Sequence, residues 1–182
     1  MTVLTEIELP HGSVSLREAR KADVPALVAL IAADQLGATR DGVRDDADLA
    51  AYERAFAAID ADPAHILLVA EFAGGSGGRP VVASTAGAVV GTMQLSFLPG
   101  LARRGALRAQ IEAVRVAESE RGSGLGAAMM RWAIEESHRR GCALVQLTSD
   151  KSRVDAHRFY ERLGFVASHE GMKLKLGGQG AT

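Results

Sequence analysis

Apolar and polar positions change period several times along the chain, and each change marks an element. Ser13 to Glu18 alternates apolar with polar and predicts a first strand. Asp23 opens a helix running to about Asp34, with Leu27, Val28, Leu30 and Ile31 as its apolar face; Pro25 falls in the first turn, where a missing amide is harmless. The period is lost from Leu36 to Asp48, a stretch rich in Gly, Asp and Arg. It returns in a second helix from about Ala47 to Ile59 that carries Leu49, Tyr52, Phe56 and Ile59. Ala64 to Phe72 and Gly87 to Leu98 read as paired strands around a glycine-rich tip at Gly74 to Arg79, with Val81 to Thr85 extending either the return strand or the tip. Met1 to Gly12 has little pattern and is expected as a loose lead-in, and Gly177 to Thr182 as a frayed tail.

The densest signal lies between Gln110 and Arg140. Ile111, Val114 and Val116 suit a buried extended segment from Gln110 to Ala117, Glu118 to Ser123 reads as a turn, and Leu125, Met129, Trp132 and Ala133 recur at helical spacing. Gly141 is placed to end that helix. Ala143 to Thr148 is short, apolar and branched, as a buried parallel strand should be. A further helix follows, with Ser152 and Asp155 at capping-box spacing and Gly164 as terminator; Phe165 to His169 and Gly171 to Leu176 are expected as the last two strands.

Composition narrows the function classes. A chain of 182 residues with 47% hydrophobic and 24% charged positions is an ordinary globule, one domain by length. A net charge of -1 argues against a general nucleic-acid or membrane-surface binder, although Arg103, Arg104 and Arg108 form a basic connector suited either to solvent or to a phosphate-bearing ligand. Cys142 alone supports neither a disulfide framework nor a cysteine metal cluster and is expected as a buried structural thiol. No apolar run spans a bilayer, and Glu6, Glu8 and Pro10 stand where a signal peptide would be apolar, so a cytoplasmic location is the expectation.

Strand, glycine-rich loop and helix together carry a chemistry. Glycines at 122, 124 and 126 let the backbone approach a ligand closely. Amides from Gly122 to Ala127 would then face outward at the first turn of a helix, where unpaired donors and the positive dipole end favour a phosphate. Arg121 adds a fixed charge. The dinucleotide fingerprint fails on spacing, and the P-loop fails because Gly126 is followed by Ala127 and Ala128 rather than Lys and Ser or Thr. What fits is Arg121-x-x-Gly124-x-Gly126 directly after Val114-x-Val116.

That pattern resembles the coenzyme A pyrophosphate loop of the GCN5-related N-acetyltransferase (GNAT) superfamily. Ala156-x-x-Phe159-Tyr160-x-x-x-Gly164-Phe165 is similar to the helix and following segment that close the acetyl-CoA site there. The resemblance runs from Ser13 to Leu176 and implies a single acetyltransferase domain over 13–176, with a mixed, mostly antiparallel α/β sheet of six or seven strands flanked by about four helices. It implies acetyl-CoA as cosubstrate, held by Val114, Arg115, Val116, Arg121, Gly122, Ser123, Gly124, Leu125, Gly126, Ala127, Asp155, Ala156, Phe159 and Tyr160. The loop and helix around Asp41 to Asp46 and Tyr52 would line the acceptor pocket, or serve as a solvated acidic loop and a packed tyrosine. Arg153 departs from the family pattern, which often has Asn at that position to contact the pantetheine arm. The run Asp155 to Tyr160, followed by Ser168-His169, has a weaker likeness to aminoalkylphosphonate N-acetyltransferases.

Acetyl transfer to an alkylamine needs a base, because an amine of pKa about 10 is neutral in only about one molecule in a thousand at pH 7. Glu112 is the candidate, expected by period-two parity on the Val114 and Val116 side of its strand; the competing reading is a strand glutamate paired with an arginine. Tyr160 looks like the tyrosine that protonates the departing thiolate, against a packed tyrosine with a satisfied hydroxyl. The amides of Val114 to Val116 would bind the pantetheine arm and polarise the acetyl carbonyl. His157 and His169 make at most an incomplete metal site, so no metal is expected. The function implied is direct acetylation of a small primary amine. The alternatives are acetylation of a protein N-terminus or lysine, and a module that senses acetyl-CoA without turnover. A homodimer is compatible with the resemblance.

Overall fold

The computed structural model describes residues 3–33, 41–74, 86–174 and 176. The chain divides into two compact units, Met1–Leu147 and Thr148–Thr182. The first holds a six-stranded sheet in the order β1-β2-β3-β4-β5-β6, formed by Val3–Leu9, Gly12–Glu18, His65–Gly74, Val89–Pro99, Leu107–Val116 and Leu144–Leu147. Neighbours are antiparallel except β5 and β6, which run parallel through the helix between them. Helices α1 (Val24–Ala32), α2 (Asp46–Asp60), the short α3 (Ala102–Gly105) and α4 (Leu125–Arg139) belong to this unit, and α5 (Val154–Arg162) to the second.

The sheet has two apolar faces. On one, Leu16, Leu68, Met93, Leu95 and Ile111 share the face that α4 covers with Leu125, Met129, Met130 and Ala133, each at most 2% exposed. Each fully buried Leu, Ile or Met side chain contributes about 1.5–3 kcal/mol, so this layer is a large part of the stabilisation. On the other face Val69 packs with Val24, Leu27 and Val28 of α1 and Phe56 of α2. Arg17 is the buried charge at the edge of that second layer, and it is paired: Nε donates to Glu71 at 2.7 Å, and both terminal nitrogens donate to Asp23, at 2.7 and 2.9 Å.

Gly91 sets how closely α4 approaches the sheet. A Cβ there would stand 3.0 Å from Met129 Sδ, 3.2 Å from Ala70 Cβ and 3.3 Å from the Arg115 carbonyl. Gly91→Val is therefore expected to overpack the layer and cost about 1–3 kcal/mol, read as a lowered midpoint in urea with an unchanged slope.

Helix ends follow the residues that mark them. Asp45 caps α2 by accepting from the Asp48 amide at 2.9 Å. Gly141, with φ +76°, closes α4 in the Schellman arrangement, its amide donating to the His138 carbonyl and that of Cys142 to Ser137, both at 2.9 Å. Gly164, with φ +92°, closes α5 in the same way.

Three expectations need correction. Residues 3–9 are not a loose lead-in but a strand, because Pro10 and His11 turn the chain back and the register Glu6↔Ser15, Ile7↔Val14 satisfies its backbone. Phe165 to His169 and the described part of Gly171 to Leu176 form no strand: alternation chooses a face but does not supply a partner, and Val166, Met172 and Leu174 are more than 80% exposed. The capping box at Ser152 is absent; Asp150 Oδ1 instead accepts from the Ser152 amide and hydroxyl, at 2.9 and 2.6 Å, and Arg153 stands at the N-cap. The expected tail, Val81 to Thr85 and most of the Gly74 to Arg79 tip lie outside the described residues.

Candidate active site

The site is built on the last turn of pairing in β5. Against β4 the register runs Gln94↔Glu112 and then Thr92↔Arg115, so β5 carries an extra residue there, and Ala113 has φ +51°. This is a β-bulge. Against β6, pairing stops at Ile111↔Leu147. Glu112 to Val116 therefore runs on beyond β6, and that edge of the backbone is paired with no other strand among the described residues.

The bulge also moves Glu112. Two residues on one side of the extra residue keep alternating, but the alternation resets across it, so Glu112 shares a face with Arg115, Gln94 and Thr92 rather than with Val114 and Val116. The parity expectation is overturned for that reason. Glu112 is exposed, on the face that α1 and α2 cover further along. A cleft of about 110 Å³ opens on this face, lined among others by Leu27, Ile31, Tyr52, Phe56, Gln94 and Ala113. The Tyr52 hydroxyl accepts from the Gly42 amide at 3.1 Å. The acidic residues beside it are engaged locally, Asp45 as the helix cap and Asp48 with Arg44 at 2.8 Å.

Past Val116 the chain makes a 3-10 turn, Glu118–Glu120, and enters the glycine loop. The turn is shaped by amides of Glu120, Arg121 and Ser123, which donate to the carbonyls of Ala117, Glu118 and Glu120 at 2.9, 3.2 and 3.3 Å. Ser123 is a builder of this loop: its hydroxyl donates to the Glu120 carbonyl at 2.8 Å and accepts from the Leu125 amide at 3.2 Å. Gly122 and Gly124 are left-handed, with φ +79° and +94°, and a Cβ on either would project into open space. The amides of Gly122, Gly124, Gly126 and Ala127 take no part in the bonds that shape the turn, and those of Gly126 and Ala127 belong to the first turn of α4, which has no intrahelical acceptor for them. Leu125 is fully buried and anchors the helix start, so its side chain faces the core while its backbone belongs to the loop. Arg121 is exposed beside these amides. The result is a run of backbone donors at a helix start with one cation beside it, a combination that favours anions such as phosphate.

The chain as a whole has relatives among known proteins. The family model described as "Acetyltransferase (GNAT) family" matches residues 46–165. The chain belongs to that family. Within it, the chain is 40% identical to a protein of Bacillus halodurans C-125 described as a transcriptional regulator, covering 90% of this chain and 99% of that one with a TM-score of 0.78. It is 39% identical over 90 residues, half of its length, to glucosamine 6-phosphate N-acetyltransferase of Trypanosoma brucei brucei. It is 38% identical over 60 residues, 33% of its length, to aminoalkylphosphonate N-acetyltransferase of Salmonella typhimurium. Those aligned stretches span 59% and 39% of the two curated relatives.

The second unit carries α5, which includes the residues expected from the sequence to close the coenzyme site. Phe159, Tyr160 and Phe165 form an aromatic cluster, with Tyr160 edge-on to both neighbours at ring separations of 5.2 and 6.0 Å. Asp155 lies in the first turn of α5 and Ala156 follows it. His157 bonds to the Asp150 carbonyl at 2.8 Å, and His169 to the Ser168 hydroxyl at 2.8 Å. Among the described residues no group of three or more His, Cys, Asp and Glu is placed to hold a metal. Cys142 is half-buried rather than fully buried; desolvation pushes its thiol above the ordinary value, with Arg140 opposing, so it is a poor thiolate. No helix among the described residues is long and apolar enough to cross a membrane.

The sequence missed one participant in the loop. Glu120 is only 2% exposed and bonds to His11, 109 positions earlier, a separation that no local pattern reveals.

Proposed function

We propose that this GNAT-family chain is an acetyl-CoA-dependent N-acetyltransferase that moves the acetyl group directly to a primary amine of a small molecule. The observation that carries the reading is the Arg121 to Ala127 loop, with amides that take no part in the bonds shaping its turn, at the end of a strand that runs on past β6 from Glu112 to Val116. The diphosphate of the coenzyme would take the loop amides and Arg121, and the pantetheine arm the backbone of Val114 to Val116. An amine held against the cleft face would lie on the same side of the sheet as Glu112, which would take its proton directly or through a water. Tyr160 would return a proton to the departing thiolate. Direct transfer agrees with a Cys142 whose thiol is held protonated. The two curated relatives act on phosphate- or phosphonate-bearing amines by name, which supports a small anionic amine as acceptor.

A second reading is a sensor that binds acetyl-CoA without turnover, favoured by the name of the Bacillus halodurans protein. Titration calorimetry with coenzyme A, followed by thiol release from acetyl-CoA against polyamines, aminoglycosides, hexosamine phosphates, aminophosphonates and peptides, separates the readings. Binding with amine-dependent thiol release is expected. Binding without release from any amine would replace the enzyme by the sensor, and absence of binding would sink both.

A further inference from the structure

The glycine loop is held from outside by a side chain on the far end of the sheet. His11 sits in the turn between β1 and β2, stacked on Phe72 of β3 with ring centroids 6.2 Å apart and 17° between planes. Its Nε2 lies 2.7 Å from Oε2 of Glu120, the last residue of the 3-10 turn and the one immediately before Arg121. The Glu120 side chain is 2% exposed and that of His11 23%.

We infer that His11 is a positioning residue for the coenzyme loop, acting through Glu120. Two physical needs point to it. The Arg121 and Ser123 amides make long bonds, at 3.2 and 3.3 Å, beside the shorter ones of the Glu120 amide and the Ser123 hydroxyl, and two residues of the loop are left-handed glycines with wide conformational freedom. A loop of that kind loses affinity to ordering entropy unless something fixes it beforehand. The Glu120 carbonyl is also the acceptor for both the amide and the hydroxyl of Ser123, so fixing the Glu120 side chain fixes the base of the loop. Charge gives the second need. A carboxylate one residue before Arg121 works against a bound diphosphate, and a histidine partner engages that charge.

This inference rests on the coenzyme reading for its consequence, but its cause can be measured without coenzyme. His11→Phe keeps a ring against Phe72 and removes the hydrogen bond; His11→Gln keeps a donor and removes the ring. The expected result is that His11→Phe weakens coenzyme A binding about tenfold, the size of a lost bond to a charged group, while His11→Gln stays within about threefold of the parent. Hydrogen exchange of free protein should show faster exchange in peptides covering residues 117–126 for His11→Phe and not for His11→Gln. Equal exchange in both variants and parent, or loss in His11→Gln but not in His11→Phe, would overturn the proposal. If the parent itself binds no coenzyme, the proposed function fails and the exchange comparison still decides the role of His11. Should His11→Phe not fold, Glu120→Leu serves: it fills the same buried position and removes the acceptor, and unchanged exchange in 117–126 would overturn the inference.

Discussion

Tyr160→Phe is expected to lower kcat for acetyl transfer by about 10²-fold or more, with KM for acetyl-CoA changed by less than about threefold. General acid catalysis contributes roughly 10²–10⁴-fold, and a phenol of ordinary pKa about 10 is well matched to a thiolate. Phenylalanine keeps the edge-on ring contacts at 5.2 and 6.0 Å to Phe159 and Phe165, so the cluster that holds α5 against its own following segment survives. Only the hydroxyl is lost. A structural tyrosine would instead show a shifted melting temperature and an unchanged kcat, which would remove Tyr160 from the mechanism. The pH dependence adds a second readout: with the acid gone, the fall of kcat at high pH that reports its ionisation should disappear from the profile.

How much of this was legible depended on whether the signal was local. The strand, glycine loop and helix from Gln110 to Arg140 could be read because each change of period was marked by residues with narrow backbone preferences, and Gly141 and Gly164 ended their helices where expected for the same reason. The bulge at Ala113 carried no such mark. An alanine with φ +51° is not announced by its type, and the backbone there is fixed by the register of β4 rather than by its own preference. That hidden residue put Glu112 on the other face. Residues 3–9 show little pattern of their own, and they become a strand because Pro10 and His11 form the turn that creates the pairing. The last two segments failed in the opposite sense: Phe165 to Ala167 is apolar and Met172 to Leu176 alternates, but pairing is a property of two segments. The His11 to Glu120 bond is the extreme case, since neither residue type nor neighbourhood carries any trace of its partner.

The glycine loop permits a sharper test than simple loss of function, because α4 carries a left-handed glycine at each end. Gly124 has φ +94° and stands at the N-cap; Gly141 has φ +76° just past the C-terminus, and a Cβ at either meets nothing within 4 Å. A β-branched residue in that conformation costs of order 1–3 kcal/mol wherever it is placed. Gly124→Val and Gly141→Val should therefore destabilise the protein by similar amounts, read as comparable falls in the urea midpoint. Their effects on the coenzyme should differ. At Gly124 relief of the strain would turn the peptide planes whose amides are proposed to bind the diphosphate, and the new methyl groups would project into the open space beside them. KM for acetyl-CoA is expected to rise by about 10²-fold, the equivalent of losing one or two charge-assisted hydrogen bonds of roughly 1.5–3 kcal/mol each. At Gly141 the same strain falls on the His138 and Ser137 carbonyls that end the helix, and KM should stay within about twofold. Equal KM in the two variants would mean that the backbone around Gly124 is a helix terminus and nothing more, and the diphosphate would have to be placed elsewhere.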